Sequence, residues 1–320
     1  MIVTVTANPS LDRTIELDAA LDRGEVQRSI SSSEQPGGKG VNVSRALIAS
    51  GLDTIAVLPG ETSDPMLVAL RAEHTPSAGL PISGRVRSNV TITEPDGTTT
   101  KINEPGPQLT AADDTALIDL VVSHARRAEW VVLAGSLPPG LSADFYVRVI
   151  EAIRAAADGT PPRVAVDSSG APMKSLIESG VGVDLIKPNS EELAELTSLP
   201  NTFEDDPDAA AAAALTLVNR GCRAVLATLG SRGALLVTAD ETWRATMSPV
   251  AAKSTVGAGD ASLAGYLLAD QRGAAPEGRL AQAVAHGAAA AALPGSTMPT
   301  RELTHPETAE VYLLSRSGNH

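Results

Sequence analysis

The first six residues, Met-Ile-Val-Thr-Val-Thr, are apolar and β-branched, which predicts a strand that Asn8-Pro9 stops. Residues 12–28 are mixed and polar, with Ile15 and Leu17 alternating, and predict a short strand pair. A glycine cluster then precedes a helix over 41–50 that ends at Gly51. Residues 54–59 read as a buried strand and 63–73 as a helix. The clearest hairpin covers 88–103. Val90 and Ile92 alternate with threonines, Pro95-Asp96-Gly97 turns the chain, and 98–102 returns. Its threonine-rich faces predict a small, half-buried sheet outside the main core.

From residue 110 the rhythm changes. Helices over 111–128, 143–157, 171–179, 191–197 and 208–220 alternate with strands over 130–134, 164–167, 184–187 and 224–228. That alternation implies βαβ crossovers, hence an α/β fold with a mostly parallel sheet whose ligands gather at the strands' carboxyl ends. The alanine run at 209–214 is low in complexity and reads as plain helix, since alanine has the best helix propensity. No repeat and no long linker divides the chain, so one domain over 1–320 is expected, with a loose tail at 315–320.

Composition narrows the function. Twenty-five basic against 38 acidic residues give a net charge of −13, which argues against nucleic-acid or anionic-membrane partners. The core must be aliphatic, because there are only two Trp, three Tyr and two Phe. Cys222 is the single cysteine, so an intrachain disulfide is impossible and a cysteine metal cage is disfavoured. The start lacks a basic, signal-like region, and no apolar run reaches the ~18 residues of a membrane span. A cytoplasmic protein is expected.

Four stretches could carry chemistry. In Thr255-Val256-Gly257-Ala258-Gly259-Asp260-Ala261-Ser262, two glycines open a helical-looking segment that continues through 263–268. Unpaired N–H groups and the helix dipole there favour an anion, and Asp260 in the first turn can take a proton from a hydroxyl. Equally, Asp260 can simply cap a helix. Ser262 stands where a dinucleotide-binding G-x-G-x-x-G needs its third glycine, which disfavours a nicotinamide enzyme. In Pro36-Gly37-Gly38-Lys39-Gly40-Val41-Asn42, the glycines offer a backbone cradle, Lys39 a charge for phosphate and Asn42 an amide for sugar hydroxyls. A flexible loop before a helix accounts for it as well. Lys187-Pro188-Asn189-Ser190-Glu191-Glu192 suits either Mg²⁺ or a capped helix start. Thr228-Leu229-Gly230-Ser231-Arg232-Gly233 suits either a nucleotide border or a left-handed turn. The five histidines, at 74, 124, 286, 305 and 320, have no metal-ligand spacing, and Ser136 in Gly135–Gly140 lacks the nucleophile-elbow pattern.

Taken in order, these stretches resemble the ribokinase-like, PfkB-type sugar kinases, and within them the bacterial 1-phosphofructokinase branch. Residues 4–12, 36–42, 87–90, 101–107, 135–140, 166–170, 187–193 and 254–260 carry the resemblance across nearly the whole chain. Asn103-Glu104-Pro105-Gly106-Pro107, and Arg87 before Ser88-Asn89, favour the fructose 1-phosphate branch over tagatose 6-phosphate and 6-phosphofructokinase relatives. The resemblance implies a three-layer α/β/α domain with a small β-sheet lid from about 13–33 and 84–105. It implies a homodimer through that lid, with ATP and Mg²⁺ as cofactors. It implies transfer of phosphate from ATP to the 6-hydroxyl of fructose 1-phosphate.

By the same resemblance, Asp260 is the general base and the N–H groups of Gly257, Ala258 and Gly259 form the anion hole. Asp12, Gly37, Gly38, Asn42, Asn103 and Ser136 hold the sugar, and Arg87 and Lys39 its 1-phosphate. Lys187, Asn189 and Glu192 face the ATP phosphates and Mg²⁺, with Glu192 reaching the metal through water. Thr228, Gly230 and Gly233 border the nucleotide. Carbonyls near Ser254, Val256, Ala290, Leu293 and Gly295 would ligate K⁺. Thr228 and Ala7 depart from the family pattern without removing a charged group, and 72–81 matches it poorly. A non-catalytic sugar-phosphate-binding regulator is the alternative of another class; the intact Asp260 argues against it, because a pure binder needs no base.

Overall fold

A computed structural model describes residues 1–316. In chain order the elements are β1 (Ile2–Thr6), β2 (Ser10–Leu17), β3 (Ser29–Gly37), α1 (Lys39–Ala49), β4 (Thr54–Pro59), α2 (Pro65–Ala72), β5 (Ser77–Leu80), β6 (Arg87–Thr93) and β7 (Thr99–Asn103). There follow α3 (Ala111–Ala125), β8 (Trp130–Ala134), α4 (Phe145–Ala155), β9 (Arg163–Asp167), α5 (Gly170–Ser179), β10 (Leu185–Ile186), α6 (Ser190–Thr197) and α7 (Pro207–Val218). The last are β11 (Ala224–Thr228), β12 (Ala234–Thr238), β13 (Glu241–Thr246), α8 (Ala258–Gln271), α9 (Pro276–Ala291) and β14 (Glu310–Arg316).

Ten strands make one sheet in the order β14-β13-β12-β11-β10-β9-β8-β1-β4-β5. From β5 to β11 every pair is parallel; β12, β13 and β14 then run antiparallel. The central strands are buried on both faces, which is why they read as unbroken apolar runs such as WVVLA in β8. On one face they pack on α3 to α7, through residues such as Leu117, Ile150, Leu176, Leu193 and Leu217. On the other they pack on α1, α8 and α9 through Leu47, Leu267 and Leu280, with α2 beside α1. This is the expected three-layer α/β/α arrangement. Among the described residues no helix is long and apolar enough to cross a membrane.

The lid is a separate sheet ordered β3-β2-β6-β7, built from two excursions of the chain. The 88–103 hairpin is present as β6 and β7, in register from Asn89–Asn103 to Thr93–Thr99. The strand pair expected within 12–28 is displaced: β2 starts at Ser10, and its partner β3 lies beyond residue 28. Ser-Ile-Ser-Ser-Ser-Glu-Gln has no apolar alternation, because most of β3 is exposed. Helix α1 begins at Lys39, two residues earlier than read, and the segment at 263–268 is the middle of the longer α8. Strands β5, β12, β13 and β14 and helix α9 were not anticipated. The tail is ordered further than expected, since Ser315 and Arg316 pair with Thr242 and Glu241. Residues 317–320, His320 included, lie outside the described residues.

Candidate active site

Five of the site segments meet at the carboxyl ends of the central strands. Gly257 caps α8 with φ +79°, in the left-handed region where glycine is favoured. The helix therefore starts abruptly and its first-turn N–H groups point outward. Of the three expected anion-hole amides, that of Ala258 also donates to the Thr255 carbonyl at 3.3 Å. A β-carbon at Gly259 would lie 3.2 Å from Lys187 Nζ, so the missing side chain is what lets that ammonium approach the helix start.

Asp260 follows in the first turn of α8 and is 7% exposed. Its Oδ2 accepts a hydrogen bond from Asn42 Nδ2 at 2.8 Å. Burial, and then the negative charge of Asp167, push its carboxyl up to about 6; the Asn42 amide and the ammonium groups of Lys187 and Lys39 oppose them. A carboxylate poised there is suited to accept a proton near neutral pH.

Asp167, at the end of β9, had no role in the sequence reading and is the hub of the charge network. It is fully buried and pairs with Lys39 Nζ at 2.7 Å and Lys187 Nζ at 3.0 Å. Burial alone would raise its pKa, but the two ammonium groups outweigh it and hold the carboxyl below the usual range. Burial pulls Lys39 down, yet Asp167 and Glu192 raise it above the ordinary lysine range. Lys187 is itself only 4% exposed. Its position just past β10 and the Val166-Asp167-Ser168 strand end were the available signals, but the pairing is visible only in three dimensions.

Asn189 and Glu192 realise the capped-helix reading of their stretch. They form a reciprocal capping box on α6, with Glu192 N donating to Asn189 Oδ1 at 2.8 Å and Asn189 N to Glu192 Oε2 at 2.9 Å. The other Glu192 oxygen pairs with Lys39 at 3.3 Å. Lys39 thus sits with Asp167 and Glu192, while Arg87 sits with Asp12 and Glu104, its Nη1 donating to the Glu104 carbonyl at 3.1 Å. A cleft of about 690 Å³ opens beside the lysines, lined by Asn189, Thr228, Gly230, Gly233 and Gly257–Asp260 among others. The 228–233 stretch is indeed a tight turn, with left-handed Gly230 and Gly233.

On the lid side, Asp12 Oδ1 accepts from Ser10 at 2.7 Å and from Asn89 Nδ2 at 3.0 Å. Gly37 stands against this carboxylate: a β-carbon there would fall 2.1 Å from Asp12 Oδ2. Gly38 takes φ +112° and joins β3 to α1. Ser136 receives Asn8 Nδ2 at 3.4 Å, and Asn8 also donates to the Pro105 carbonyl at 3.0 Å. Asn103 is exposed at the end of β7. Four buried atoms here, Asn8 Oδ1, Asn42 Oδ1, Asn89 Oδ1 and Arg87 Nε, have no hydrogen-bond partner among the described residues. Buried polar atoms are normally satisfied, so this set is shaped for a polar ligand. Asn8 and Asn89 were missed as site residues, although both lie in stretches that carry the family resemblance.

The expected cation carbonyls fall on two adjoining segments. The Ala291 carbonyl receives both Lys253 N–H and Ser254 N–H, at 2.8 and 3.2 Å, which ties residues 253–256 to 290–295. The Ala290 carbonyl already accepts from Leu293 N–H at 3.0 Å. Val256 is 43% exposed. His286 is structural: it lies buried between Ser50 and Gln282, and burial pushes it down to about 4.

A family of sequences described as pfkB family carbohydrate kinase matches residues 5–302. The chain is 35% identical over 315 residues to a 1-phosphofructokinase of Haloferax volcanii, covering 97% of this chain and 98% of that one. It is 34% identical over 307 residues to ATP-dependent 6-phosphofructokinase isozyme 2 of Mycobacterium tuberculosis, covering 94% and 87%. The crystal structure of phosphofructokinase-2 from Escherichia coli in complex with potassium superposes with a TM-score of 0.85 at 29% identity, over 94% of this chain and 96% of that one.

Proposed function

We propose that this chain, which belongs to the pfkB family of carbohydrate kinases, phosphorylates fructose 1-phosphate at its 6-hydroxyl with ATP, giving fructose 1,6-bisphosphate and ADP. One observation carries the reading: a buried carboxylate, Asp260, is held by Asn42 at a helix start that lines one cleft together with two lysines. Asp260 takes the proton of the 6-hydroxyl as that oxygen bonds to the γ-phosphorus. The bond from the γ-phosphorus to the bridging oxygen breaks, and the electron pair leaves with ADP. The outward amides at Gly257–Gly259 and the ammonium groups of Lys39 and Lys187 balance the charge of the phosphoryl group in flight.

The sugar contacts are assigned to Asp12, Gly37, Gly38, Asn42, Asn103 and Ser136, and the 1-phosphate to Arg87. The contacts of Lys39 favour giving it to the nucleotide phosphates instead. Among the described residues no three acidic, His or Cys side chains converge to hold a metal, and Glu192 is tied to Lys39 and Asn189. That donor set fits Mg²⁺ carried on nucleotide phosphates with Glu192 reaching it through water. The metal, when bound, neutralises phosphate charge. The adjoining 253–256 and 290–295 segments are the place for K⁺. Two copies would pair through their lids, where Val26 is 97%, Ile30 65% and Ile102 57% exposed.

A second reading, the same chemistry on fructose 6-phosphate, is favoured by the similarity to 6-phosphofructokinases. Comparing kcat/KM for fructose 1-phosphate, fructose 6-phosphate and tagatose 6-phosphate decides between them; a preference for either 6-phosphate rejects the first reading. Asp260→Asn is expected to lower turnover by about a thousandfold with ATP affinity kept, and near-normal turnover would reject the mechanism.

A further inference from the structure

Gln35 lies in β3, directly opposite Asp12 of β2, so both side chains leave the same face of the lid. Its Oε1 accepts a hydrogen bond from Ser296 Oγ at 2.7 Å. Ser296 belongs to the turn after α9 and is 7% exposed. Its carbonyl accepts from Arg45 Nη1 at 3.2 Å, and Arg45 is in turn fixed to Glu73 at 2.7 Å. Arg45 is on α1, one turn beyond Asn42, which holds Asp260. Two residues after Ser296, the Met298 methyl lies where a β-carbon on Gly257 would come within 2.8 Å of it. The turn is therefore wedged between the lid face that carries Asp12 and the glycine that opens α8.

We propose that the Gln35–Ser296 hydrogen bond is a latch that couples the seating of the lid over the sugar to the shape of the amide cradle at 257–260. Ser296 and Gln35 are positioning residues: neither is assigned to substrate or nucleotide. When the sugar draws the lid down, Gln35 holds the turn in place and Met298 braces Gly257. Without the latch the lid still closes, but the cradle is no longer set by that closure.

This inference rests on the kinase reading for its ligand, and its test separates the two. Wild type, Gln35→Ala, Ser296→Ala, the double variant and Ser296→Thr are assayed with whichever sugar phosphate the wild type turns over. Each single change is expected to lower kcat/KM for the sugar about fivefold to tenfold, the worth of one hydrogen bond. KM for ATP stays within about twofold, the double variant is no worse than either single one, and Ser296→Thr restores activity. Additive losses, or an equal rise in KM for ATP, would overturn the latch. Amide exchange in the ligand-free chain gives a reading independent of substrate: exchange at Ala261, whose N–H is bonded to the Gly257 carbonyl at 2.8 Å, should quicken in both single variants, and unchanged exchange there also overturns it. A wild type inactive on every sugar phosphate would instead reject the kinase reading and leave the exchange result to stand for or against the latch.

Discussion

Asn42 and Asp260 are 218 residues apart in the sequence, and the side-chain amide of the first holds the carboxylate of the second at 2.8 Å. The bond joins the first turn of α1 to the first turn of α8. It also stabilises the ionised form of Asp260, against the burial that favours the protonated one.

Asn42→Ala should therefore change the pH profile as well as the rate. A base works only when deprotonated, so kcat/KM in the wild type should rise through about pH 6, the value to which Asp260 is raised. Removing the amide raises the carboxyl further, and the acidic limb should move up towards about pH 7. A limb that stays in place, or moves to lower pH, would show that Asp260 is not the titrating group. The same sign governs stability: a carboxyl raised above its unfolded value of 3.8 contributes stability at low pH that is lost as pH rises through about 6. Asp260→Asn should then be the more stable protein at pH 7.5 in urea melts, with the difference vanishing below about pH 4.

Asp167→Asn should damage both stability and rate. It leaves Lys187, 4% exposed, and Lys39 without their shared counter-charge. Breaking a buried pair from one side costs about 3 kcal/mol. Urea denaturation should show that loss. Adding Lys187→Met should recover part of the stability while activity stays low. A variant of normal stability would mean the lysines find another partner.

Much of this site was readable before the fold was known, and the divide follows physical lines. The central strands announce themselves because burial on two faces leaves only apolar residues in them, as in β8 and β9. Asp260 stood out because glycines precede a first-turn acid, but that pattern alone left it between base and helix cap, and only the family resemblance gave it a role. Asp167 was not, because its role depends on Lys39, distant in the chain, sharing its carboxylate with Lys187. Strand β3 was hidden for a different reason: its serines face water, so no packing constraint wrote a period into them. Helix α9 is rich in alanine and glycine, which blurs the apolar stripe of an amphipathic helix.

Gly37→Ala should act on the sugar alone. Its backbone is ordinary strand, so no conformational strain is added, but the new methyl would overlap the Asp12 carboxylate. Such overpacking costs about 1–3 kcal/mol, and KM for the sugar phosphate should rise roughly tenfold or more. KM for ATP should hold. Equal rises in both constants would place Asp12 outside the sugar site.

Strand β3 runs into helix α1 with Gly38 alone between them. The lid and the helix bearing Lys39 and Asn42 are thus one uninterrupted stretch of backbone. Anyone exchanging lids among these kinases to alter their preferred sugar would have to transplant the junction at 36–42 together with the strands. A graft cut at the visible border of the small sheet would sever recognition from chemistry.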